Sequence, residues 1–219
     1  FLTPLHGIMY KDNPYLISGY RIMPTNNYIN CFKSVFFMHN ETMNFWTHFI
    51  PALSWIFIGF WYLPELFEKY KFWDAFMFLI CVLGCVCVFG FSSVYHMFKC
   101  NSVKDYHLLL VLDFSGILCI ICSANAFIPY FEFTCYPGLR KSLIIIEIVI
   151  AIILISFVTT IVKYRLTSLR TALYLIYSFY SLLCWSFKVY VLEFGKYENE
   201  KYETIGCLLS LYVLIILAL

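Results

Sequence analysis

Long apolar runs constrain what this chain can fold into more than any other feature. Five of them are long enough to cross a bilayer as a helix, which takes about 20 residues, and a sixth continues to the last residue. Lipid cannot satisfy open backbone groups, and the runs are too long for barrel strands, so they predict helices. The runs cover residues 45–63, 74–97, 107–131, 142–162, 172–192 and 204–219.

The composition supports the same conclusion. The 219 residues are 62% hydrophobic and 13% charged, whereas a soluble domain has about 25% charged residues. The net charge of +2 does not indicate a nucleic-acid partner. Most of the ten cysteines lie in apolar runs, where they are typical packing residues, and the CxxC formed by Cys119 and Cys122 is weak evidence for metal. We therefore predict an all-α, multi-pass transmembrane helical bundle.

The sequence divides into two regions. Residues 1–44 are polar and mixed and predict a cytosolic or interfacial arm, in which "CFKSVFFMHN" forms a short amphipathic helix on the membrane surface. Residues 45–219 form the transmembrane domain. Because the sequence begins at Phe1 and ends inside an apolar run, we expect a longer natural chain. Basic residues in the loops weakly favour a cytosolic N-terminus.

Three polar side chains lie where the second and third runs meet. Ser92 and His96 are four residues apart and so share a helical face, and Asp113 lies about two turns inside the third run. The loop between the two runs is short, so the helices are antiparallel and these side chains reach a similar depth. The sequence predicts that Ser92, His96 and Asp113 converge on one pocket.

Two interpretations of this group remain open. A neutral imidazole is a good zinc ligand, and a nearby carboxylate can orient it, while a hydroxyl can donate to a developing oxyanion. Alternatively, a buried Asp–His pair can simply hold two helices together. A zinc site also needs further ligands.

A second polar group opens the first run, in "MHNETMNFWTH". Glu41, Asn44 and His48 lie on one helical stripe, whereas Trp46 faces the other way, towards the membrane interface. The stripe predicts a hydrogen-bonded network at the mouth of the bundle or a ligand-entry site. Glu147 is a lone acid in the fourth run, and its pattern does not identify a partner.

Taken in order, four motifs carry a resemblance to a known family. "SGYR", "HNETMNFWTH", "SSVYH" and "LDFSG", which lie within residues 18–116, together resemble the progestin and adipoQ receptor family, and its membrane progestin receptor branch in particular. The resemblance implies seven helices, with the N-terminus in the cytosol. It also implies a zinc ion near the cytosolic face, held by three histidines, of which His96 matches one.

In related lipid amide hydrolases, the serine and aspartate that match Ser92 and Asp113 accompany the zinc. The resemblance places the other two histidines in a seventh helix, and this sequence has no histidine after His107. His107 lies at the start of the third run and is a poor substitute. We therefore expect the two remaining ligands in a missing C-terminal helix.

The resemblance implies a multi-pass membrane receptor that responds to a steroid or related lipid and couples to signalling proteins. The alternative is a zinc-dependent, ceramidase-like hydrolase, and a structural scaffold without a site is a third class. The expected location is the plasma membrane or an endomembrane.

Overall fold

The computed structural model describes residues 19–21 and 27–188. Within these residues the chain is helical and forms no strand. The helices, in chain order, are α1 (Tyr28–Ser34), α2 (Thr42–Lys69), α3 (Phe72–Phe98), α4 (Val103–Glu132), α5 (Pro137–Lys163), α6 (Thr167–Ser178) and α7 (Tyr180–Phe187). The predicted all-α membrane bundle is therefore confirmed.

The first four predicted spans correspond to α2, α3, α4 and α5. Each of these helices is long and apolar enough to cross a membrane, and each extends a few residues beyond its apolar run. The fifth predicted span begins as α6 and α7, with an irregular turn at Phe179, whose N–H is shared between the carbonyls of Leu175 and Ile176. The end of that span and the sixth predicted span lie outside the described residues.

The helices α3 and α4 pack closely against each other at Gly116. A Cβ added to Gly116 on α4 would lie 2.9 Å from the carbonyl oxygen of Cys87 and 3.0 Å from the Cα of Val88, both on α3. Such distances leave no room for a side chain, so the two backbones are in direct contact at this point. Because Gly116 is less than one helical turn from Asp113, this contact also holds Asp113 close to α3.

A buried polar network joins α4, α5, α6 and α7. Glu147 of α5 is fully buried and accepts a hydrogen bond from the Tyr177 hydroxyl. Asn125 of α4 donates to the Tyr177 carbonyl oxygen at 2.9 Å and accepts from the Ser181 hydroxyl. The sequence pattern does not identify a partner for Glu147. In the structure, Glu147 belongs to this hydrogen-bond network between helices.

Large apolar side chains cover the outer surface of the spans. Phe60 on α2 is 80% exposed and Ile152 on α5 is 63% exposed. Water would penalise this exposure, but lipid tails do not, so the bundle is suited to a bilayer.

The helix α1 precedes the first span and carries its own N-cap. The side chain of Asn27 accepts hydrogen bonds from the backbone N–H groups of Ile29 and Asn30. The helix begins and ends earlier than the amphipathic segment predicted from "CFKSVFFMHN", and a turn follows it. Phe32, on α1, and Phe37, after it, are at least half exposed, as expected of a segment at a membrane interface. The division of the chain at residue 44 and the cytosolic side of the arm stay predictions.

Candidate functional site

The α3–α4 pair brings Ser92 and Asp113 together. Ser92 lies in the last two turns of α3 and is 6% exposed. Its hydroxyl lies close to the Asp113 carboxyl group across the helix interface, and His96 is near enough to act on the same carboxyl electrostatically. The predicted convergence of these three side chains is therefore present in the structure, while their chemical roles stay predictions.

The carboxylate that contacts His96 directly is Glu41. Its Oε2 atom lies 2.7 Å from His96 Nδ1, although 55 residues separate the two in sequence. Glu41 immediately precedes α2, so the start of α2 reaches the end of α3. From the sequence, Asp113 is the candidate for the carboxylate that orients the His96 imidazole. In the structure, the carboxylate hydrogen-bonded to this imidazole is Glu41.

Glu41 is held by several donors at once. Lys99 Nζ lies 2.9 Å from its Oε1, and the side-chain amides of Asn40 and Asn44 donate to Oε1 and Oε2 at 2.8 and 3.3 Å. Burial alone would raise the pKa of Glu41, but the hydrogen bond from His96 and the charge of Lys99 outweigh it and lower the pKa to about 2. Glu41 is therefore a carboxylate at neutral pH.

This charge state fixes the tautomer of His96. A carboxylate only accepts hydrogen bonds, so Nδ1 of His96 must carry a proton and donate it to Glu41. In the neutral ring, Nε2 then keeps its lone pair. A carboxylate–histidine pair of this kind commonly supports a metal-ligating imidazole. The arrangement leaves one nitrogen of His96 available to accept a proton or to bind a metal.

His48 lies beside His96, a neighbour that the helical stripe does not identify. The two ring centroids are 5.7 Å apart, and His48 Nδ1 is 2.7 Å from the carbonyl oxygen of Asn44. A carbonyl oxygen accepts, so this nitrogen also carries the proton of a neutral ring. Glu41, Asn44 and His48 thus form a polar group that borders Asp113 and His96. The structure supports a network here, and a ligand-entry role stays a prediction.

Trp46, which the sequence predicts to face the membrane interface, also contacts other parts of the protein. Its indole N–H donates to the Val35 carbonyl oxygen at 3.0 Å, and its ring packs edge-on against Phe36, Phe45 and Phe49. The indole of the half-buried Trp46 therefore joins the segment after α1 to α2.

Sequence reasoning gave no role to Arg21 or Lys99. The guanidinium of Arg21 donates to the carbonyl oxygens of Met97 at 2.8 Å and His96 at 2.9 Å, which satisfies carbonyls at the C-terminal end of α3. Arg21 belongs to the "SGYR" motif, which can be recognised in the sequence. Its contact with His96, 75 residues away, cannot be predicted from the motif. Lys99 follows α3 directly, and its place in the sequence marks it only as a basic residue in a loop.

The described residues could hold a metal only in part. No group of three or more His, Cys, Asp or Glu side chains in residues 19–21 and 27–188 is arranged to bind an ion. His96 Nε2, with Glu41 behind the ring, is nevertheless suited to be one ligand of a zinc ion. His107 is exposed at the start of α4 and packs edge-on against Tyr106. The remaining ligands would have to come from outside these ranges.

The fold and the site define an integral, multi-pass helical membrane protein with a polar site at one end of its spans. The chain belongs to the Haemolysin-III related family, which matches residues 36–218. The resemblance to progestin and adipoQ receptors, drawn from four short motifs, is confirmed by the similar proteins.

Three similar proteins show the range of the family. The chain is 33% identical to the progestin and adipoQ receptor-like protein 1 of Caenorhabditis elegans over 127 residues. The aligned region covers 57% of the chain and 29% of the relative. It is 27% identical over 150 residues to the adiponectin receptor protein of Drosophila melanogaster, covering 68% and 33%. It is 36% identical over 106 residues to membrane progestin receptor gamma-A of Danio rerio, covering 47% and 29%. The matched part of the chain spans about a third of these relatives.

Proposed function

We propose that the protein is a membrane receptor for a steroid or related lipid, and that the ligand's polar group binds beside Ser92 and Asp113. Family membership supports a receptor, and the names of the similar proteins point to progestins and adiponectin. The observation that carries the site is the closeness of the buried Ser92 to the partly buried Asp113, because polar side chains at membrane depth are costly and commonly serve a ligand or a transport path. Coupling to signalling proteins is part of the proposal.

Ligand binding tests this proposal. Membranes containing the full-length protein should bind radiolabelled progesterone, or a labelled long-chain ceramide, saturably. Asp113→Ala, which removes the polar group entirely, should weaken binding about 10- to 100-fold, because loss of a hydrogen-bond partner costs about 1–3 kcal/mol. Ser142→Ala, at an exposed serine on α5, is the matched control and should bind as the wild type does. Absence of saturable binding for both probes, or equal affinity in Asp113→Ala, contradicts the proposal.

A second candidate is zinc-dependent hydrolysis of a lipid amide. It is favoured by the Glu41–His96 contact, which leaves His96 Nε2 free to ligate zinc. Zinc would be held by His96 and two further histidines from a following helix outside this sequence. A bound zinc ion would supply the Lewis acidity that polarises an amide carbonyl and activates water. Asp113 would orient that water and accept its proton, and Ser92 would hold Asp113 in place.

Turnover of a long-chain ceramide by the purified full-length protein tests the hydrolase. We expect Asp113→Asn to lower kcat at least about 100-fold, because a positioned general base contributes roughly 10²–10⁴ in rate. Asp105→Asn, at the start of the same helix, serves as the control and should retain turnover. Ceramide hydrolysis that persists in both Asp113→Asn and His96→Ala excludes this chemistry.

A further inference from the structure

Two thiols meet outside the spans. Cys31 of α1 and Cys100, in the turn after α3, have their Sγ atoms 3.5 Å apart, although 69 residues separate them in sequence. Both are buried, at 0% and 4% exposure. Of the other described cysteines, Cys135 lies alone and exposed after α4, and the rest lie within helices. The position of the Cys31–Cys100 pair, at the end of the bundle that also carries Arg21 and His96, is therefore unusual for this chain.

The surroundings distinguish the two sulfur atoms. The hydrogen bond from the Cys31 thiol lowers the pKa of Cys100, and the nearby charges of Arg21 and Lys99 lower it further, against the effect of burial. The same hydrogen bond and burial raise the pKa of Cys31. A thiolate is the nucleophilic form of cysteine, so Cys100 would attack and Cys31 would resolve.

We propose that Cys31 and Cys100 form an oxidation-sensitive dithiol, whose disulfide would link α1 to the C-terminal end of α3. A disulfide has an S–S length of about 2.05 Å, so the sulfurs need to approach by only about 1.5 Å. The seven-residue α1 can supply this shift, because it is connected to the spans through short turns rather than being part of one.

The oxidant is a hydroperoxide, with hydrogen peroxide as the simplest case. The Cys100 thiolate attacks one peroxide oxygen, the O–O bond breaks, and the departing hydroxide takes a proton to leave as water. The Cys31 sulfur then attacks the Cys100 sulfenic acid, the S–O bond breaks, and the leaving hydroxide takes the Cys31 proton. In total, two thiols and one peroxide give one disulfide and two waters, and the peroxide accepts both electrons.

The disulfide would bear directly on the candidate site. Cys100 lies one helical turn after His96, and Arg21 donates both to the carbonyls of His96 and Met97 and to the Ser34 hydroxyl on α1, at 3.3 Å. Oxidation would therefore fix α1 against the end of α3 that carries His96. In the reduced protein, only non-covalent contacts hold α1 against the end of α3.

Peptide mapping tests this inference without reference to ligand or zinc. The purified full-length protein, first reduced and then treated with dilute hydrogen peroxide, should yield a Cys31–Cys100 linked peptide by mass spectrometry under non-reducing conditions. The CxxC pair Cys119 and Cys122, which lies within α4, is the internal control and should stay reduced at the same dose. The oxidised protein should unfold several degrees higher than the reduced protein, and dithiothreitol should reverse this shift.

Two variants complete the test. Cys31→Ser and Cys100→Ser should each abolish the linked peptide and the thermal shift. Peroxide treatment that oxidises Cys119 and Cys122 while Cys31 and Cys100 stay reduced overturns the inference. Because the mapping is done on the unaltered protein, it decides the question even if a serine variant fails to fold.

Discussion

Replacing Glu41 by alanine is expected to lower the free energy of unfolding by about 3–5 kcal/mol, the cost of breaking a buried ion pair by removing one partner. Glu41 is 5% exposed, and its carboxylate accepts from His96, Lys99, Asn40 and Asn44. Without it, the buried Lys99 ammonium loses its carboxylate and the His96 proton loses its acceptor. Thermal unfolding in detergent, followed by intrinsic fluorescence, measures the change.

The same helix offers a matched control. Glu65 on α2 pairs with Lys69 one turn later, but both side chains are more than half exposed. Such surface pairs contribute about 0–1 kcal/mol, so Glu65→Ala should unfold close to the wild-type temperature. If Glu41→Ala is as stable as Glu65→Ala, Glu41 does not hold the ends of α2 and α3 together. If the full-length protein binds zinc as proposed, Glu41→Ala should also weaken zinc affinity about 10- to 100-fold, through loss of the oriented imidazole.

The convergence of Ser92, His96 and Asp113 could be predicted because it depends on local facts. Helical spacing puts Ser92 and His96 on one face, and the short loop after α3 makes α4 antiparallel and sets the depth of Asp113. The membrane spans were predictable for a related reason, since apolar length alone determines whether a segment can cross a bilayer. These inferences need no knowledge of how distant segments pack.

The contacts around Glu41 could not be predicted in the same way. Glu41 and His96 meet because α2 packs on α3, and the sequence stripe shows only that Glu41 points into the bundle, not which side chain it meets. Arg21 reaches the end of α3 from an arm with no regular pattern. The meeting of Cys31 with Cys100 likewise depends on how α1 lies on α3.

The irregular turn at Phe179 had no sequence signal either. Neither Gly nor Pro lies at this point, so the usual marks of a helix break are absent from the residues around it. Instead, Tyr177 and Ser181 on either side are committed to the polar network of Glu147 and Asn125. Those partners come from α4 and α5, and their positions follow only from the packed bundle.

Replacing His96 by alanine is expected to remove zinc from the full-length protein altogether. The proposed ion depends on three histidines, and loss of one leaves too few protein ligands for a stable tetrahedral zinc site. His107→Ala is the matched control, because His107 is an exposed histidine on the neighbouring helix and should be indifferent to the metal.

Metal analysis of the purified full-length protein is the most direct test of the proposed role of the Glu41–His96 pair in holding a metal. Inductively coupled plasma mass spectrometry should find about one zinc per chain in the wild type and in His107→Ala, and a background level in His96→Ala. A folded wild-type protein without zinc after metal-replete purification, or zinc retained at full occupancy by His96→Ala, would contradict the assignment of His96 as a metal ligand.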